Sequence, residues 1–518
     1  PAVNEAIIAA MNNGSLIVHY VGHGNEHVWA HESVFENSSS IPRLHNPRYF
    51  FLTIAACAFG YYDKTTVQSG AELLLLKANS GAIGAFTSTR PVFANDNAAI
   101  TDTFYTKLFR EKKSITVGNA YFLTKIKRYA GYEDNDQRFT LLGDPATRLL
   151  VPQYSASIDS INGHKFNSSD ISASTIQLKA LSQTRIEGVI EKPDNTVWSD
   201  FNGEGIISVY DSERKVLLPQ LAGPGYPDGY PMTVQGGTIF RGRVSVTNGH
   251  FSSNFIVPKD ISYQNENGKV IIYFYNNAGD GLGYTDNIII GGTDSSVVND
   301  GKGPDVEIYF DSATPSTSFL INPNSKLIVK LSDETGINST GTGVGHQLEG
   351  ILNDNISSPI DFTNDFTGDK DSGGKSGEIN YSFNDITPGE YKIEVKAWDV
   401  FNNYSSKTAY FTVVSGDDLV LSNVYNYPNP FSGNTTFTFQ QNLNSVIDLK
   451  IKIYTIAGRL IKEIDKSSIS DKYVMVPWDG RDADGDVIAN GTYFYKLIVK
   501  TSDGKYNTSI IGKLAVIR

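Results

Sequence analysis

His23 and Cys57 are the two residues of this chain whose types could do covalent chemistry together, and Cys57 is the only cysteine among 518 residues. Each closes an apolar run. Leu16-Ile-Val-His-Tyr-Val-Gly-His23-Gly24 ends on the imidazole, and Phe50-Phe-Leu-Thr-Ile-Ala-Ala-Cys57 ends on the thiol. A thiol attacks a carbonyl as the thiolate, so it needs an imidazole within reach to take its proton. The oxyanion that develops needs fixed N–H donors, and a glycine such as Gly24 lets backbone approach closely. The pair reads as a base and a nucleophile.

Both runs are rich in β-branched and aromatic residues and stop at glycine or small residues, so both are expected as buried parallel strands. In an open α/β sheet the chemistry gathers at the carboxyl ends of such strands. Around them, residues 1 to about 150 alternate helix and strand patterns. A helix end is expected over 3–11, a polar excursion over 25–48, a helix over 68–79, a strand over 81–87 and helical stretches over 98–110 and 114–129. Leu141-Leu-Gly-Asp-Pro-Ala-Thr-Arg148 closes the segment. Three parallel strands are too few for a sheet covered on both faces, so the front of this domain is expected to lie outside the sequence. No signal peptide is present, and the chain opens on Pro1 rather than Met, so a targeting segment is expected upstream as well.

A chain of this length needs about three to five domains. The formal charge is −12, with acidic and basic residues interspersed and no basic stripe, so nothing favours nucleic acid or an anionic membrane surface. No apolar run approaches the roughly 20 residues of a membrane helix; the longest candidate, 71–78, carries Glu72 and Lys77. A single cysteine excludes an intramolecular disulfide, which suits both the cytosol and bacterial exported proteins that lack bridges. Beyond about residue 154 the pattern becomes short alternating strands divided by Gly, Asn, Asp and Pro turns, as in β-sandwiches in series. Four units are expected: an α/β segment over 1–153, then β-sandwiches over 154–300, 301–415 and 416–518. Gly301-Lys-Gly-Pro304 and Ser415-Gly-Asp-Asp418 mark the later boundaries.

Tyr20-Val-Gly-His23-Gly24, Ala55-Ala-Cys57 and Gly81-Ala-Ile-Gly-Ala-Phe-Thr-Ser-Thr-Arg90 resemble the gingipain-like cysteine peptidases over about residues 1 to 150. The resemblance implies a partial caspase-like α/β domain with Cys57 and His23 as catalytic pair. It also implies the backbone N–H groups of Gly24 and Cys57 as oxyanion donors, and Ala55 at the floor of the primary pocket. Trp29 is a candidate wall of the cleft, and Arg90 either approaches the cleft or lies on the surface. In that family an acidic residue upstream of the histidine strand orients the imidazole. Here Glu26 and Glu32 are the nearby substitutes, or simply solvated loop residues.

Tyr427-Pro-Asn-Pro-Phe431, Ile453-Tyr-Thr-Ile-Ala-Gly-Arg-Leu460, Trp478-Asp-Gly-Arg-Asp-Ala-Asp-Gly and Asn490-Gly-Thr-Tyr-Phe-Tyr-Lys496 resemble the immunoglobulin-like signal domains of type IX secretion. The order of parts implies a sortase of that system at the outer-membrane surface. Such an enzyme cuts signal domains from cargo proteins and joins the cargo to anionic lipopolysaccharide by transpeptidation. It works beside an outer-membrane β-barrel partner and keeps its own signal domain. A secreted gingipain-like protease and a noncatalytic surface adhesin are the alternatives.

Blander readings stand beside these. A lone cysteine is often a small buried hydrophobe. His19, His23, His27 and His31 recur every four residues, a zinc pattern on a helix, but the β-branched run and the glycines flanking His23 oppose a helix. Asp482-Ala-Asp-Gly-Asp486 opens like a calcium loop without the late Glu, so a hairpin turn is expected. Asp63 and the run Glu133 to Asp136 are weaker calcium candidates, with solvation as the alternative. Neither metal nor cofactor is expected.

Overall fold

The computed structural model describes residues 2–109, 115–129, 134–166, 176–218, 228–313, 319–341, 345–415, 418–443 and 445–518. The expected helical residues Arg110 and Ser114, the acidic Glu133 and the boundary residues 416–417 lie outside them. The protein is multidomain and mostly β. It divides into two compact units, residues 1–154 with 279–281, and residues 155–278 with 282–518.

The first unit is built in the order α1 (Ala2–Asn13), β1 (Ile17–Val21), β2 (Val28–Trp29), β3 (Phe35–Glu36), β4 (Phe50–Ala55), α2 (Gly70–Leu76), β5 (Ala82–Ser88), α3 (Ala94–Phe109), α4 (Val117–Tyr129), α5 (Asp134–Gln137) and β6 (Phe139–Gly143). The sheet order is β1-β4-β5-β6. β1, β4 and β5 run parallel, with Val18 opposite Leu52 and Leu52 opposite Ala85. α2 starts cleanly because the Glu72 carboxylate accepts both the N–H (2.9 Å) and the hydroxyl (2.6 Å) of Ser69.

Two expectations change here. The closing segment 141–148 contains the end of a fourth strand: β6 pairs antiparallel with β5, Phe86 opposite Leu141. A five-residue run ending in Gly143 is too short to show its period. The histidine run, expected to be buried, is the less buried of the two strands. No residue of β1 is buried, whereas every residue of β4 is. Among the described residues β4 has a hydrogen-bonded neighbour on each side and β1 has one.

Two apolar clusters cover the faces of this sheet. One gathers Ile8, Met11, Leu52, Ile54 and Leu74, and the other Phe51, Phe86, Ile100, Phe104 and Phe139. Among the described residues no helix is long and apolar enough to cross a membrane.

Residues 154–293, nearly all in the second unit, do not form the expected two-sheet sandwich. Strand Gly203–Tyr210 pairs with both Glu266–Asn276 and Thr238–Thr247. With Gly279–Thr293, Tyr154–Ile161, Gln183–Glu191 and His250–Ile256 these strands close into a ring of seven. Alternating burial looks the same in a sandwich and in a ring; long-range pairing decides between them.

Residues 306–413 and 419–516 each enclose a separate apolar core. In the last of these, a three-stranded and a four-stranded sheet share a core that holds Trp478, whose indole N–H donates to the Arg481 carbonyl (2.9 Å). The half-buried pair Lys472–Asp311 (2.7 Å) ties this terminal part to the one before it.

Candidate active site

The two chemical residues sit just beyond the carboxyl ends of adjacent parallel strands. β1 ends at Val21 and β4 at Ala55, which are register partners. The Gly22 N–H donates to the Ala55 carbonyl (3.4 Å), carrying the alignment one step further. A β-carbon added to Gly24 would stand 3.2 Å from the Ala56 β-carbon and 3.0 Å from the Val28 carbonyl oxygen. The His23-Gly24 and Ala56-Cys57 segments are therefore packed against each other at a distance that a side chain on residue 24 would disturb.

Cys57 is half-buried on a turn held from one direction by the end of β5. The Ser88 hydroxyl donates to the Ala56 carbonyl and accepts the Ala58 N–H (3.2 Å). That N–H also reaches the Arg90 carbonyl (3.3 Å), and the Ser88 carbonyl accepts the Gly60 N–H (3.0 Å). The thiol itself donates to the Val92 carbonyl at 3.6 Å. Ala58 takes a left-handed conformation (φ 55°), rare for a residue with a β-carbon. Gly60 is required by space: a β-carbon there would lie 2.3 Å from Thr87 Cγ2.

His23 is exposed, and its carbonyl is the fixed part. It accepts the Tyr20 hydroxyl (2.7 Å) and the Ala30 N–H (2.8 Å). The ring lies 5.5 Å from that of His31. Among the described residues no carboxylate is hydrogen-bonded to the His23 imidazole. Glu26 is engaged elsewhere: its ion pair with Lys64 holds its carboxyl below the usual range. Glu32 is exposed, and its charge helps to raise the Tyr20 hydroxyl above the usual tyrosine range, after burial as the main cause.

The Gly24 and Cys57 N–H groups, expected as oxyanion donors, carry no hydrogen bond among the described residues. Ala55 is fully buried. Trp29 is 2 % exposed, stacked on Tyr20 (4.9 Å) and Phe35 (4.5 Å), so its ring packs inside the segment and presents no open face. Arg90 reaches the surface, where its guanidinium holds Asp63 through two bonds (2.9 and 2.6 Å) and lies 4.3 Å from the Tyr61 ring. That guanidinium keeps the Asp63 carboxyl below its usual range and engages both of its oxygens.

The four periodic histidines do not converge. His19 stands edge-on to Tyr105, His23 faces His31, and His27 lies in the exposed turn. Among the described residues no group of three His, Cys, Asp or Glu side chains is arranged to hold a metal. In the 482–486 loop, Asp482 accepts the N–H groups of Asp484 (3.1 Å) and Asp486 (2.9 Å), the bonding of a tight turn.

Three residues that build the site were not singled out from the sequence. Tyr20 holds the His23 carbonyl, Ser88 brackets the cysteine, and Asn97 donates to the Ala55 carbonyl (3.3 Å). A polar residue within an apolar strand was the available signal for Ser88. Nothing in the helical pattern of α3 marks Asn97.

Comparison with known proteins bears on the two ends of the chain. Residues 1–150 match the model of peptidase family C25, and residues 423–505 match the FlgD Ig-like domain. A comparison with curated proteins finds no match. Among solved structures, dimeric latent PorU from Porphyromonas gingivalis is similar at 24 % identity, over 85 % of this chain and 41 % of that one, with a TM-score of 0.33. The SGBP-B protein of the Bacteroides ovatus mixed-linkage glucan utilization locus, in complex with a mixed-linkage heptasaccharide, is similar at 13 % identity. That match covers 66 % of this chain and 65 % of the other, with a TM-score of 0.20. The chain thus spans 41 % of the length of the PorU chain it matches. Its first 150 residues, which carry the His23 and Cys57 turns, are similar to peptidase family C25.

Proposed function

We propose that this chain carries the nucleophile and base of a cysteine endopeptidase that acts as a type IX secretion sortase. The observation that supports the chemistry is the close packing of Gly24 on Ala56, which sets the His23 and Cys57 turns side by side. In the proposed reaction His23 takes the thiol proton and Cys57 attacks the carbonyl of the scissile bond. The N–H groups of Gly24 and Cys57 receive the oxyanion, and His23 then protonates the leaving amine. The resulting thioester is resolved by an amine of anionic lipopolysaccharide, giving an amide and the free thiol, or by water.

The sortase assignment is supported by the order of parts: a C25 segment, β-domains and a terminal FlgD Ig-like domain. The proposed partners are cargo proteins with type IX signal domains and an outer-membrane β-barrel of the PorV-like kind. The proposed location is the cell surface. A secreted protease that degrades external proteins would share the chemistry but not retain residues 416–518.

The test is mass spectrometry of cargo from cells carrying the full-length protein with Cys57→Ala or His23→Ala. Cargo trimming is expected to fall by about 10³-fold or more, as when a nucleophile or its base is removed elsewhere. Normal trimming in the Cys57→Ala cells would reject the assignment.

A further inference from the structure

We propose that Ser88 is the positioning residue of Cys57: its buried side chain fixes the residues on either side of the thiol and so sets the thiol's reactivity. The proposal rests on the peptidase reading and adds to it a residue outside the catalytic pair.

Ser88 is the last residue of β5 and is fully buried. Its hydroxyl makes two bonds, one to the residue before the cysteine and one to the residue after it. Its carbonyl takes the Gly60 N–H, so three of the turn's backbone groups end on one residue of the neighbouring strand. Cys57, between the bracketed residues, makes one hydrogen bond among the described residues, the long thiol contact to Val92. The left-handed Ala58 is a conformation the chain would not keep alone, and its N–H is the one that Ser88 and Arg90 hold. A turn under backbone strain persists only where the surroundings over-determine it.

Thr87, one residue earlier, is equally buried, yet its hydroxyl has no partner among the described residues. Two adjacent buried hydroxyls therefore separate burial from positioning.

In the full-length protein, Ser88→Ala is expected to slow alkylation of Cys57 by iodoacetamide at neutral pH about tenfold, the change matching one net hydrogen bond. The pH profile of alkylation should move with it, and peptide cleavage should lose kcat with KM within about twofold. Ser88→Thr, which keeps the hydroxyl, should restore most of the rate, and Thr87→Val should leave it unchanged. Alkylation of folded Ser88→Ala with unchanged rate and profile would overturn the proposal. So would an equal loss in Thr87→Val.

Should Ser88→Ala not fold, amide exchange in the wild type decides. The Ala58 and Gly60 amides are expected to exchange as slowly as those of β4, and fast exchange there rejects the bracket. Neither alkylation nor exchange depends on turnover. A wild type that cleaves nothing while both behave as expected would reject the peptidase reading and leave the bracket standing.

Discussion

The strands that present the histidine and the cysteine share a composition and differ in everything the fold adds. β4 pairs with β1 and with β5, and its six residues are all buried. β1 has one paired neighbour, none of its residues is buried, and Val21 at its tip is 52 % exposed. The cysteine therefore stands on backbone held from both sides, with Ser88 and Asn97 bonding the groups around its turn. The histidine is held by short-range contacts: the Tyr20 hydroxyl, the Ala30 N–H and the Tyr20–Trp29 stack. A nucleophile can be fixed by the core, whereas a base on an exposed turn depends on its own loop.

The largest effect that sharpens this contrast is on stability. Ile54→Ala, at a site with no exposed surface, is expected to cost about 2–5 kcal/mol. Val18→Ala, on half-buried β1, is expected to cost roughly 1 kcal/mol. Urea unfolding of both variants checks the comparison, and equal losses would break it.

Next come the polar supports of the two tips. Asn97→Ala removes a donor to the Ala55 carbonyl and deprives the buried Asn135 amide of its acceptor, an expected cost of about 1–3 kcal/mol. Tyr20→Phe removes one exposed bond to the His23 carbonyl, at about 0.5–1.5 kcal/mol. Hydrogen exchange should show the first opening the end of β4 and the second confined to the histidine turn.

A pH-dependent effect concerns strand β6. The Lys125 amine donates to the Asp136 and Phe139 carbonyls beside it, and burial lowers its pKa to about 8, against 10.5 for the ordinary side chain. Between those values the unfolded chain binds the proton that the folded chain has lost, so stability contributed by this residue rises with pH from about 8 to 10.5. Below pH 8 both states are charged and the burial penalty is paid in full. Wild type should gain stability relative to Lys125→Met over that interval. Parallel pH dependence of the two proteins would remove Lys125 from the account.

The β4 and β5 strands were legible because their runs are continuous, apolar and stopped by small residues. β1 was legible as a strand but not as a partly exposed one, because an apolar run carries no record of what packs against it. β6 was too short to show a period, and the ring over residues 154–293 depends on pairings between residues far apart in sequence. Trp29 reads from sequence as a cleft wall on its size and place. The aromatic stack with Tyr20 and Phe35 instead absorbs it into the interior.

Residue types and local order alone determined that a histidine and a lone cysteine would end two strands, that glycine would follow the histidine, and that α/β periodicity would give way to β. These are properties of side-chain chemistry and of runs a few residues long. Only the tertiary structure decided that Gly24 would press on Ala56 and that Ser88 would bracket the cysteine. Each of these depends on a contact between distant residues, and the free energy of such contacts arises only once the sheet is assembled.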